Sequence, residues 1–222
     1  MTAPNTGPRP CSVAEALQRA DMLYREQSGQ YVLGTGDYRP GADDRPWTER
    51  DGLWGSDCAG FAMCWVWKLP RHRPGFASGM LPAAYRDQSD VDDDINCNSA
   101  IEDALTVQEL YTVVTSGVPI PGDLLVYPTL RIKGDDGQLH TFVGHVGLVV
   151  GNDRATGSRF RTDDDANAQG ANYELLDVLQ CRGQNGRRPA VVKTDGSVWS
   201  HHDTVWPKPA HRTTVLRVRW AA

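Results

Sequence analysis

The stretch PGDLLVYPTLRIKGDDGQLHTFVGHVGLVVG, residues 121–151, decides how this chain folds. Its ends, DLLVY and HVGLVV, are β-branched or alternating runs bounded by turn residues, the pattern of strands that bury a face. Runs of the same kind follow at YELLDVLQ (173–180), AVVKT (190–194) and TVLRVRW (214–220). Upstream the period changes. In SVAEALQRADMLYREQ (12–27), Val13, Leu17, Ala20 and Leu23 recur at helical spacing behind Ser12, and Glu15 completes a capping box. Helices followed by strands imply an α+β fold in which N-terminal helices pack on a central antiparallel β-sheet. Residues 1–11, rich in Pro, Thr and Asn, read as a flexible leader, and residues 12–222 as a single domain.

Between these regions the reading is coarser. Gln30 to Gly55 is mostly Gly, Pro, Asp and Arg and reads as irregular loop. CAGFAMCWVWKL (58–69) suits a helix of a few turns that Pro70 stops, and residues 71–97, with the acidic DVDDD, read as surface loop. Ser99 and Glu102 form a second capping-box pattern ahead of IEDALTVQELYTVV (101–114), a helix expected to close at Gly117 and Pro119.

Composition excludes several classes of function. The 222 residues are 40% hydrophobic and 23% charged, enough for a sizeable core and unlike a disordered chain. A net charge of −5 gives no general pull toward phosphate backbones, so nucleic acid is not expected as a partner. No apolar run reaches the length of a membrane helix, and MTAPNTGPRP lacks the basic and apolar regions of a signal peptide. A monomer without membrane association is expected, made in the cytoplasm. Five cysteines (Cys11, Cys58, Cys64, Cys97, Cys181) at irregular spacings leave at least one thiol free and give no zinc-knuckle pattern.

One of those cysteines has a chemical setting. In GSDCAGFAMCWVW (55–67), a cap from Ser56 or Asp57 places Cys58 in the first turn of the helix. Unpaired N–H groups and the helix dipole stabilise a thiolate there, and the same N–H groups can hold an oxyanion. Gly60 leaves that turn open to a substrate backbone. Cys64, in the same helix, reads as packing. Strand HVGLVV supplies an imidazole: alternation puts His145, Gly147 and Val149 on one face, and Gly147 leaves space beside the ring. Cys58 and His145 together read as a nucleophile and its base.

DCAGF, PGDLLVY and GHVGLVVG, in this order, resemble the motifs of the NlpC family of papain-like cell-wall cysteine peptidases, which are related to the cysteine, histidine-dependent amidohydrolases. The resemblance covers most of residues 12–220, with Ala59 where that family often has Ser. It implies a papain-like NlpC-type fold and a cysteine endopeptidase or amidase that cuts an amide bond in the peptide part of bacterial peptidoglycan through a thioester, with no metal or cofactor. It also gives Tyr31, in GQYVLGTG, the position of a tyrosine that donates to the oxyanion or positions substrate, and Asp57 a positioning role beside it. A third polar residue is implied at the end of the strand after the histidine strand; there Gln180 fits better than Asp177, which lies on the opposite face. Without a signal peptide, such an enzyme would reach the wall as a phage endolysin, a tail component or cargo of a specialised secretion system. An acyltransferase or transglutaminase-like enzyme on the same fold, and a catalytically inactive structural or binding module, are the alternatives.

The remaining candidates carry less. His140 falls on the face opposite His145 if the strand extends that far, His201 and His202 sit in an exposed-looking turn, and His72 and His211 lie in basic surface segments. Asp163, Asp165, Asn167 and Glu174 approach a calcium-loop spacing, but Ala168 replaces the glycine such a loop needs for its turn.

Overall fold

The computed structural model describes residues 11–27, 29–38, 47–73, 76, 94–115, 118–152, 173–183, 188–206 and 208–219. Residues 1–10 of the expected leader, most of the acidic 90–94 run, and Asp163 to Ala168 of the calcium-like spacing lie outside these.

The fold is α+β, with antiparallel sheet and few helices. Helix α1 (Val13–Glu26) starts at the expected capping box: Ser12 Oγ accepts from Glu15 N and Glu15 Oε2 from Ser12 N. It turns Ala16, Ala20 and Leu23 into the core. The region read as irregular loop instead contains β1 (Gln30–Tyr31), β2 (Thr48–Arg50) and β3 (Leu53–Ser56). They form a small sheet in which β1 runs parallel to β3 and β2 antiparallel to it. These strands are too short for an alternating pattern to stand out from the surrounding turn residues.

The next helix begins at Cys58, and its body, Gly60–Trp65, is π-helical, with Val66 N donating to Phe61 O and Leu69 N to Cys64 O. Every side chain of that body is buried. The wider turn ends at Lys68, whose φ is +56°, before Pro70 is reached. Arg19 closes its far end, donating through Nε and Nη2 to Trp65 O at 3.0 and 2.8 Å.

Helix α2 (Cys97–Leu105) departs from expectation at both ends. Asn96, rather than Ser99, is the cap; Ser99 is its capping-box partner three residues on. The helix ends at Leu105 because the buried Asp103 carboxylate accepts from Glu109 N, Leu110 N and Tyr111 N, each at 2.8 Å, and folds the chain into β4 (Tyr111–Val113). Side-chain bonding to backbone beats helical propensity here.

The expected strands appear as β5 (Leu124–Tyr127), β8 (His145–Gly151), β9 (Asp177–Cys181), β10 (Val191–Asp195) and β11 (Thr214–Val218). With β4 they make a fully antiparallel sheet in the order β10-β9-β8-β5-β11-β4. Between β5 and β8 lies a hairpin of β6 (Leu130–Lys133) and β7 (Leu139–Phe142), so His140 belongs to a separate, exposed ribbon beside Asp136 rather than to the His145 strand. Helix α3 (Ser197–Val205) is a further departure: the expected SHHDT turn is helical, and His202 stacks on Tyr127 with ring centroids 3.9 Å apart. Val126, Val146 and Leu148 of the sheet share a core with α1, α2 and the π-helix. Leu125, Val149 and Val178 pack in a second cluster with Trp199 of α3.

Gly60 holds the Cys58 helix against the loop before β2. A Cβ there would lie 2.4 Å from Thr35 O and 2.7 Å from Gly36 Cα, both backbone atoms that cannot swing aside. Its role is close packing of the protein's own chain, in place of the open approach for substrate read from sequence. Gly60→Ala is therefore expected to cost about 1–3 kcal/mol, measured as a lower urea midpoint with an unchanged m-value.

Candidate active site

Asp57 sets the start of the Cys58 helix. Its backbone carbonyl accepts from Phe61 N and its Oδ1 from Gly60 N at 2.7 Å, so Asp57, not Ser56, is the cap. Oδ2 accepts from Gly34 N at 2.9 Å, and both oxygens meet the guanidinium of Arg71, at 3.1 and 2.9 Å. Arg71 reaches on to Thr35 O and Gly36 O. The carboxylate is 3% exposed and its charge is matched on the spot.

Cys58 sits one residue beyond, with Sγ 4.0 Å from Gly144 O at the entry to β8. That entry is pinned from α2: Asn98 Oδ1 accepts from Thr129 N, and Thr129 Oγ1 accepts from Gly144 N, both at 2.8 Å. His145 follows as the first residue of β8. Its Nε2 lies 2.7 Å from Gln180 Oε1, and the Gln180 amide is oriented by Nε2 donating to Thr194 Oγ1 at 2.6 Å. With its NH2 committed to Thr194, Gln180 presents oxygen to the ring, so His145 Nε2 carries hydrogen and Nδ1 is left for the thiol. Asp177, the other candidate, lies across from Gly151 at the far end of β8 from His145 and pairs with Lys193 at 3.7 Å.

Gly147 does not leave open space beside the ring. A Cβ there would fall 2.4 Å from the Trp199 indole, which stacks on His145 at 5.5 Å. Tyr31, paired with Ser56 across β1 and β3, is 9% exposed and lines the cleft beside His145 and Gln180. Burial, with the charges of Cys58 and Asp57, pushes its phenol far up, so it remains a hydrogen donor at ordinary pH.

The electrostatics favour a charged pair. The Cys58 thiol is drawn down to about 5 by the hydrogen bond from the Cys97 thiol and by the charge and hydrogen bond of His145, against burial and the Asp57 charge. Burial opposes an imidazolium at His145, but the Cys58 charge and the hydrogen bonds with Cys58 and Gln180 outweigh it and raise the ring above its ordinary value. Cys97, raised well above the thiol range by its bond to Cys58 and by burial, stays protonated as donor. Burial, with the nearby carboxylates of Asp37, Asp57 and Asp94 adding to it, pushes the Cys64 thiol far up and leaves it as packing.

The structure therefore brings Cys58, His145, Gln180, Tyr31 and Asp57 together from four separate stretches of chain. Sequence reasoning missed Arg71, Cys97 and Trp199. Arg71 and Cys97 both fell in a segment read as surface loop. Trp199 was hidden in a helix too short to show a period. Among the described residues no group of three or more His, Cys, Asp or Glu side chains is placed to hold a metal ion, and no helix is long and apolar enough to cross a membrane.

This arrangement can do one kind of chemistry well: a thiolate at a helix start attacks an electrophilic carbonyl, and an oriented imidazolium supplies a proton. No protein-family model, curated protein or solved structure matches the chain.

Thiolate is present above the Cys58 pKa, so alkylation by iodoacetamide should rise through an inflection near pH 5 and stay high through neutrality. In Cys97→Ala one donor to the thiolate is lost, and the inflection should move to higher pH. Mass spectrometry of the peptide carrying Cys58 reads both profiles; coincident curves would remove Cys97 from the site.

Proposed function

We propose that this protein is a papain-like cysteine peptidase or amidase of NlpC type that hydrolyses an amide bond in the peptide part of bacterial peptidoglycan. The observation that carries the reading is the Cys58 thiol at an Asp57-capped helix start, lowered beside a His145 ring that is itself held by Gln180. The order of DCAGF, PGDLLVY and GHVGLVVG along the chain supports the family, and an antiparallel sheet with the helices of the first half on one face suits it.

In this mechanism Cys58 Sγ attacks the carbonyl carbon. The oxygen that takes up the negative charge is held by the N–H groups of the helix start, with the Tyr31 hydroxyl as a further donor. His145 Nδ1 gives its proton to the amide nitrogen as the C–N bond breaks, leaving a thioester on Cys58 and a free amine. The neutral imidazole then takes a proton from water, whose oxygen attacks the thioester, and the C–S bond breaks to release the carboxylic acid and restore the Cys58 thiolate beside the His145 imidazolium. Gln180 carries no charge and fixes the ring's tautomer and angle.

Purified wall sacculi test this. The protein should release new amino groups without new reducing sugars. Cys58→Ala and His145→Ala should abolish release, Cys64→Ala should leave it intact, and Gln180→Ala should lower kcat by about tenfold to a hundredfold through lost orientation. Release by the Cys58 variant at the normal rate would sink the proposal.

A further inference from the structure

The cleft has two halves, and Val143 and Gly144 line both. Cys58 opens on a half of about 330 Å3, where two carboxylates, Asp57 and Asp94, face two guanidiniums, Arg50 and Arg71. His145 opens on the other, about 220 Å3, lined also by Tyr31, Tyr127, Gln180, Arg182 and Val198. Since His145 must hand its proton to the departing nitrogen, the amine side of the substrate occupies the His145 half and the acyl side the Cys58 half.

The charge of the two halves differs. Among the described residues the charged or chargeable groups on the His145 side are His145 and Arg182, with the tyrosines held protonated, and no carboxylate lines it. This basic corner stands in a chain of net charge −5. Arg182 has no ion pair with a carboxylate among the described residues, whereas Arg71 and Arg217 are each held by one. Arg182 follows Cys181 at the end of β9, the strand that pairs with β8, and lines the same half of the cleft as His145. The Arg182 charge works against the His145 imidazolium. Arg182 is exposed at the rim of a cleft in which no carboxylate stands among the described residues, so its guanidinium is open to an anion that arrives with substrate.

We infer that Arg182 receives a carboxylate on the residue that supplies the leaving amine, so that the substrate class is peptides whose amine-side residue is anionic next to the scissile bond. This rests on the hydrolase reading above and narrows it. A guanidinium binds a carboxylate through paired N–H donors, and a carboxamide in the same place offers neither the charge nor the second acceptor oxygen.

Two stem peptides that differ only in a free carboxylate or a carboxamide on the amine-side residue test the inference by kcat/KM. The protein should prefer the carboxylate peptide by about tenfold at low salt, with the advantage shrinking as salt rises. Arg182→Gln should erase the preference by slowing the carboxylate peptide more than the carboxamide peptide, and Arg182→Lys should retain part of it. Equal rates with the unmodified protein, or a preference that survives Arg182→Gln, overturn the inference and leave Cys58-dependent hydrolysis standing. Failure to cut either peptide, in protein whose Cys58 still reacts with iodoacetamide, overturns the hydrolase reading and this inference with it.

Discussion

Both oxygens of the Asp57 carboxylate are taken up inside the protein, by Gly34 N, Gly60 N and the two Nη atoms of Arg71. The rest of the site depends on that cluster. It fixes where the helix begins, and so where the first-turn N–H groups and the Cys58 thiol point. It also ties the 34–36 loop to that start, because Arg71 donates onward to Thr35 O and Gly36 O. Removing one partner of such a buried pair costs roughly 3–5 kcal/mol, since the other charge is then stranded. The same pair that stabilises the local fold therefore sets the position of the Cys58 thiol.

A second constraint comes from the sheet. His145 is the first residue of β8, and its neighbours are fixed on three sides: Gln180 at Nε2, Trp199 stacked on the ring, and Tyr127 with its centroid 5.8 Å away. Glycine at 147 is what admits the indole. The Asn98–Thr129–Gly144 hydrogen bonds then hold this strand end at Cys58. Two rigid pieces, a capped helix and a strand end, are thus brought face to face with little left for substrate binding to organise.

Five of the six strands of the large sheet were legible because each is a β-branched or alternating run between turn residues, β4 having read as the end of a helix, and the faces of β8 and β9 followed from alternation alone. That was enough to select Gln180 over Asp177. The chain hid what depends on tertiary bonds. Asp103 ends α2 by accepting three backbone N–H groups from residues six to eight positions on, which no local propensity anticipates. The π-helical body of the Cys58 helix, buried throughout, has no periodic signature of its own, and the 34–36 loop is held by a guanidinium in a stretch that looked like surface. The capped cysteine and the histidine at a strand start were visible; the contacts that charge and aim them were not.

The central claim is that Cys58 carries the acyl group between the two halves of the reaction. Acid-quenching a turnover mixture with stem peptide and mapping the protein by mass spectrometry tests it most directly. The account predicts an acyl mass on the peptide that holds Cys58, increased when Gln180→Ala slows the water step and absent in Cys58→Ala. Steady turnover with no adduct on Cys58, or an adduct on Cys97 in its place, would contradict it.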